Sequence, residues 1–177
     1  MTDRLREIFS AEQIAQRVRE LAEQISRDYH DKPLVIVGVL KGAFIFLADL
    51  VRELSIEPTI EFVRLSSYGL KKESNGEVEM ILDVKNSLEG KHVLVVEDIV
   101  DTGLSIKSLS HRWAEVGLAS LRVCTLLDKP ARRKTDIEAD YVGFSIDDLF
   151  VVGFGLDWAE KYRHLHGIYV VEFDADE

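Results

Sequence analysis

The sequence predicts an α/β fold, a mostly parallel twisted sheet with helices on both faces. Three observations predict it. Continuous apolar runs such as "PLVIVGVL" (33–40) are what strands buried on both faces require. Segments of helical period lie between these runs, as in "GAFIFLADLVREL" (42–54). Strand and helix then alternate along the chain, the order that crossover connections of a parallel sheet produce. The 177 residues hold no internal repeat, low-complexity tract or linker-like stretch, so one domain over residues 1–177 is expected.

Taken in order, a helix is expected over residues 10–30. Ser10 with Gln13 forms a capping box, and Ile14, Val18, Leu21, Ile25 and Tyr29 recur at helical spacing. The buried strand 33–40 and the helix 42–54 follow. "TIEFVRLSSY" (59–68) alternates as a strand. "GLKKESNGE" (69–77) is polar, carries two glycines and both signs of charge, and reads as a mobile loop. Strands are expected at 78–84 and 92–98, then a helix over 104–116 capped by Gly117. "SLRVCTLLD" (120–128) is a further strand, with shorter ones at 140–144, 150–153 and 168–173.

Composition narrows the function. A net charge of −10 argues against nucleic acid as a partner, which calls for a basic face. No apolar run reaches the roughly 18–20 residues of a membrane span. The charged start "MTDRLREIFS" lacks a signal-peptide core. The single cysteine, Cys124, excludes an internal disulfide and reads as a core residue in a reducing, cytoplasmic compartment. His164 and His166 have no partners in a zinc pattern.

The chemistry concentrates in "VLVVEDIVDTGLS" (93–105). A buried strand runs out into Glu97 and Asp98, which project to opposite sides, and then into Asp101, Thr102, Gly103, Leu104 and Ser105 at the start of a helix. In a parallel sheet, ligands bind beyond the carboxyl ends of the strands. The glycine permits close backbone approach, and the helix start favours an anion, most naturally a phosphate. The acids repel phosphate, so they are free for hydroxyls, a divalent cation or a proton. A sugar phosphate with Mg2+ nearby satisfies the whole set. The same residues also read as a solvated acidic turn with a helix cap.

This stretch resembles the 5-phosphoribosyl-1-pyrophosphate motif of the purine phosphoribosyltransferases. "VGVLKGAFIFLADLVREL" (37–54), "SSYG" (66–69), "CTLLDKPARR" (124–133) and "FVVGFGLDWAEKYRHL" (150–165) resemble the same family in the same order, and together the motifs span most of residues 35–165. The resemblance implies the type I phosphoribosyltransferase fold, with a small hood formed by the N- and C-terminal segments. It also implies transfer of phosphoribosyl to hypoxanthine or guanine with release of pyrophosphate. Expected partners are therefore small molecules, phosphoribosyl pyrophosphate and an oxopurine base, with no nucleic acid and no membrane. The assembly implied is a homodimer or homotetramer.

The resemblance also implies roles. Glu97 and Asp98 bear on the ribose hydroxyls and a Mg2+ ion, and Asp101 is the general acid/base near purine N7. Thr102, Gly103, Leu104 and Ser105 cradle the 5′-phosphate; Ser105 stands where threonine is frequent. Lys41, Gly42 and Arg163 match pyrophosphate contacts, and in the family the peptide before this lysine can be cis. Ser67 and Tyr68 match the start of a mobile loop that closes over the site. Lys129 matches the donor to the purine 6-oxo group, Phe150 the stacking aromatic, and Val151 a backbone contact to the base edge. Asp157 matches a carboxylate that reaches a second Mg2+, and Trp158 stands where tyrosine is common. Arg133 is expected to be structural.

Two other readings use parts of this pattern. A regulator on the same fold would bind the nucleotide or phosphoribosyl pyrophosphate without catalysis, but here the acids, Lys129 and Arg163 are all present. A Mg2+-dependent phosphatase on another α/β fold would explain the aspartates but not Lys129, Phe150 or "SSYG".

Overall fold

The structure, a computed structural model, describes residues 4–67 and 78–172. Six strands form the main sheet in the order β4-β3-β2-β5-β6-β7. These are β2 (Leu34–Leu40), β3 (Thr59–Ser67), β4 (Val78–Leu82), β5 (His92–Val100), β6 (Ser120–Asp128) and β7 (Tyr141–Ser145). All neighbours pair in parallel except β3 with β4. Helices α1 (Ala11–Asp28) and α2 (Phe44–Glu53) cover one face, and α3 (Leu104–Arg112) covers the other. The expected α/β fold is therefore the observed one.

β2 and the first part of β5 are apolar on both sides because each face of the sheet has its own core. On β5, Leu94 and Val96 pack with α1 and α2, while Val93 and Val95 pack with Ile106 and Leu109 of α3. The same alternation carried two residues further aims Glu97 to the α3 side and Asp98 to the α2 side. Helix α1 starts where expected. Ser10 Oγ accepts from Gln13 N–H and the Gln13 side chain accepts from Ser10 N–H, a capping box of about 1 kcal/mol. Arg17 of α1 donates to the Val142 and Gly143 carbonyls, covering part of the exposed edge of β7.

A second sheet of three strands, ordered β1-β9-β8, forms the hood. It joins β1 (Arg4–Phe9) to β9 (Ile168–Glu172) and β9 to β8 (Val151–Val152), all antiparallel. Among the described residues, no helix is long and apolar enough to cross a membrane.

Two local expectations are corrected. Helix α3 ends at Arg112 rather than running to residue 116. After it, Ala114 and Val116 donate three residues back, to His111 and Trp113, so the α-helical ladder tightens into turns as Trp113 enters the core. Gly117, at φ 76°, serves that turn and accepts from Gly90 N–H instead of capping the helix. Residues 4–9, read only as a charged terminus from their local pattern, form a strand of the hood. Tyr68, the loop 69–77 and the acidic tail 173–177 lie outside the described residues.

Candidate active site

Strands β2 and β5 end side by side and deliver the first half of the site. A cavity of about 480 Å³ opens there, lined by Lys41, Gly42, Glu97, Asp98, Asp157 and Arg163 among others. Gly42 sits directly against the Asp98 carboxylate, where any Cβ would overlap it, so the glycine allows the acid to stand beside the Leu40–Gly42 backbone. The Leu40–Lys41 peptide is cis. Gly155, at φ 100°, packs in turn on the Gly42 carbonyl and brings the 153–163 loop against this turn.

The acids are held at an electrostatic cost. Burial pushes the Glu97 carboxyl well above the usual range, and the Asp98 charge adds to the effect. Burial likewise raises Asp98, to about 6, against hydrogen bonds from backbone N–H groups and the field of Arg163; the charge of Asp157 raises it further. Ile99 N–H donates to Asp98 Oδ1 at 2.8 Å. An acid whose charged form is disfavoured by burial gains from any cation or hydroxyl that enters.

Opposite the acids lie cations that already have partners. Arg163 donates to the Gly155 carbonyl at 2.7 Å and pairs with Asp157 at 2.8 Å and Glu160 at 3.4 Å. Lys41 pairs with the same Glu160 carboxylate at 3.0 Å. Glu160 thus sits between the two cations as a negative charge supplied by the protein itself, and its own carboxyl is held below the usual range, first by the Lys41 hydrogen bond. Arg163 Nε is buried with no hydrogen-bond partner.

The second half of the site is the turn from β5 into α3. A smaller cavity, about 80 Å³, is lined by Glu97 and residues 99–106. Gly103 adopts φ 80° at the head of α3 and is packed so closely on Thr135 and Arg133 that no side chain would fit. Asp101 pairs with Arg132, Nε to Oδ1 at 2.9 Å, with the N–H off the line of a hydrogen bond, so the buried Oδ1 has a charged neighbour and no directed donor. Among the described residues, the buried side-chain atoms without a hydrogen bond fall on Tyr29, Asp101 and Arg163, two of the three at this site.

Past β6, Lys129 is buried rather than solvated; its Nζ lies 3.8 Å from Asp148 Oδ1, which also pairs with Arg132 at 3.3 Å. Asp101, Arg132, Asp148 and Lys129 therefore form one chain of charges. Phe150 is 40 % exposed and meets Trp158 edge-on at 4.7 Å between ring centres. Val151 is buried in β8, opposite Val170 of β9. Ser67 ends β3 opposite Val78.

Arg132, Asp148 and Glu160 were not singled out from the sequence. Their partners are 16–119 positions away or lie across turns, beyond any local pattern. The basic pair in "KPARR" was the one available signal.

A mostly parallel sheet covered on both faces, with acids and a glycine turn at the carboxyl ends of its strands, is an α/β architecture that binds ligands at that edge. The chain matches the phosphoribosyl transferase domain over residues 5–159, and it belongs to that family. It is 45% identical over 170 residues, 96% of each chain, to the hypoxanthine-guanine phosphoribosyltransferase of Aquifex aeolicus. It is 46% identical over 166 residues, 93% of each chain, to the protein of that name in Staphylococcus aureus. A crystal structure of the Bacillus anthracis hypoxanthine-guanine phosphoribosyltransferase superposes with a TM-score of 0.90 at 46% identity, covering 94% of this chain and 98% of that one.

Proposed function

We propose that the protein transfers the 5-phosphoribosyl group of 5-phosphoribosyl-1-pyrophosphate to hypoxanthine or guanine, giving IMP or GMP and pyrophosphate, in purine salvage. The observation that supports this reading is that Glu97 and Asp98 share a cavity with Lys41 and Arg163, and that Glu97 and Asp101 line the adjoining glycine turn, with Lys129 buried and Phe150 exposed. In this reading the 5′-phosphate occupies the turn 101–105 and pyrophosphate faces Lys41, Gly42 and Arg163. Glu97 and Asp98 take the ribose hydroxyls. Purine N9 bonds to C1′ as the C1′–pyrophosphate oxygen bond breaks, pyrophosphate leaving with the electron pair. Asp101 accepts the N7 proton, and its charge favours the oxocarbenium-like centre. Lys129 donates to the 6-oxo group, Phe150 stacks on the base, and Val151 meets its edge through the backbone. Ser67 and Tyr68 are assigned to excluding water from the reacting centre.

The donor set fits Mg2+ shared with substrate. Asp157 has Oδ1 on Arg163 and Oδ2 on Glu160 N–H, and among the described residues no group of three or more ligating side chains is placed to cage a metal. Mg2+ is ordinarily held by one or two carboxylates together with substrate phosphates. Asp157 on one side of the cavity, or Glu97 and Asp98 on the other, would supply the one or two carboxylates such an ion takes, and when bound it would neutralise charge on the leaving pyrophosphate. A single domain, a cytoplasmic location and a homodimer or homotetramer complete the proposal. The last is supported by the apolar side chains of Phe44, Ile60 and Phe62, left exposed on α2 and β3.

The test is nucleotide formation. The protein is incubated with phosphoribosyl pyrophosphate, Mg2+ and hypoxanthine, guanine, xanthine or adenine, and products are separated by chromatography. Metal-dependent IMP or GMP is expected; no nucleotide from any base by folded protein would overturn the reading.

A further inference from the structure

We propose that Arg133 is a positioning residue for this reaction, acting through the main chain of Asp101; the proposal rests on the phosphoribosyl-transfer reading of the site. The segment after β6 folds back as a strap over the turn that precedes α3. Lys129 N–H donates to the Val100 carbonyl at 3.0 Å. Arg133 Nε donates to the Asp101 carbonyl at 3.2 Å. Lys134 N–H and Thr135 Oγ donate to the Thr102 carbonyl at 3.0 and 3.3 Å. Three successive carbonyls are thus taken from one side.

Peptide planarity gives this a consequence. In a trans peptide the N–H points opposite to the C=O. Carbonyls of residues 100–102 turned to the strap therefore aim the N–H groups of Asp101, Thr102 and Gly103 away from it, toward the small cavity at the head of α3. Amides fixed in this way need no reorganisation to receive an anion. Of the three carbonyls, the middle one belongs to Asp101 and depends on a side chain alone.

Arg133 is itself fixed. Its Nη2 pairs with Asp128 at the end of β6, its Nη1 donates to the Ile137 carbonyl, and both members of the ion pair are largely shielded from solvent. The planar fork reaches a strand end, the strap and the turn at once, which a lysine ammonium cannot do. The strap begins at Lys129, so one guanidinium ties the purine side of the site to its phosphate side.

Two variants test this, each compared with the unaltered protein. Arg133→Lys keeps a cation beside Asp128 but loses the fork. The double variant Asp128→Asn with Arg133→Gln removes both charges and leaves none uncompensated. Folding is checked by circular dichroism and thermal melting, and rates are expressed per folded molecule. The expected result is a fall in kcat of about 10²-fold from misplaced reacting groups, and a rise of about tenfold in the KM of phosphoribosyl pyrophosphate as oriented donors are lost. The KM of hypoxanthine stays unchanged, since Lys129 and Phe150 are untouched. A purely structural arginine would lower the melting temperature and leave kcat per folded molecule and both KM values within about twofold of the original. That result in whichever variant folds overturns the proposal. An inactive unaltered protein would instead overturn the functional reading, and the role of Arg133 with it.

Discussion

In the proposed reading, residues 101–105 offer the 5′-phosphate peptide N–H groups at a helix start, held from behind by the strap, and Lys41 and Arg163 face the pyrophosphate. The latter are side-chain cations, already occupied by Glu160 and Asp157. The first arrangement has little to reorganise when a phosphate arrives. The second must release a carboxylate before a pyrophosphate can take its place. For the proposed reaction the contrast has a use. One anion has to remain bound while the other leaves, and a site that keeps a competing charge at hand is the better one to leave from.

The largest expected effect removes the chemistry from the rigid end. Asp101→Asn should keep the fold and lower turnover by about 10²–10⁴-fold, the range for a lost general base, with far less change in phosphoribosyl pyrophosphate binding measured by calorimetry. Unchanged turnover would remove Asp101 from proton transfer. Next, Gly103→Ala puts a Cβ into Thr135 at a left-handed φ. A strain of about 1–3 kcal/mol should appear as about 5- to 150-fold weaker binding of ribose 5-phosphate, with inorganic pyrophosphate binding unaltered. Equal losses for both ligands would break the distinction between the two regions.

The third prediction concerns the acids between them. The folded-state pKa of Asp98 is raised to about 6 from an ordinary 3.8, so the native state holds its proton longer than the unfolded chain does. The resulting stability is present at low pH, is lost as pH rises from about 4 through about 6, and does not return above it. Asp98→Asn should therefore melt higher than the original at pH 7.5, by on the order of 1–2 kcal/mol allowing for partial exposure, and the difference should shrink toward pH 4. Phosphoribosyl pyrophosphate binding should be weakened in the same variant. A lower melting temperature at pH 7.5 would show that the ionised carboxylate stabilises the fold. The smallest effect is expected at the adaptable end. Glu160→Gln should tighten pyrophosphate binding by about two- to fivefold at most, as for a solvent-exposed ion pair, with the gain fading at high salt. Weaker binding would show Glu160 to be a support rather than a competitor.

What could be read beforehand follows the same division. The acids and the phosphate turn lie in one stretch, where strand pattern, glycine and helix start are neighbours in sequence, so local rules suffice. The alternation that sends Glu97 and Asp98 to opposite faces was legible for that reason. The pairing of Glu160 with Lys41 spans 119 positions and depends on how the 153–163 loop packs against Gly42. Backbone at positive φ occurs there at Gly153 and Gly155 but also at Phe154, Ala159, Glu160 and Tyr162, so glycine marks only part of the turn. Residues 4–9 alternate poorly and are a strand only because Ile168–Glu172 supplies the partner. The end of α3 was misplaced because Gly117 is a plausible cap and the burial of Trp113 is not visible in the sequence.

The hood has a consequence for how the molecule is made. Arg6 and Glu172 lie side by side although 166 positions separate them. A growing chain can assemble the parallel sheet and the phosphate turn while its later part is still being synthesised. The wall carrying Phe150 and Val151 has to wait, because β8 pairs with β9 and β9 with β1. In the proposed reading, a chain that ends before residue 168 lacks the strand that holds the base-side wall, while the turn 101–105 and the strap behind it are already complete in sequence.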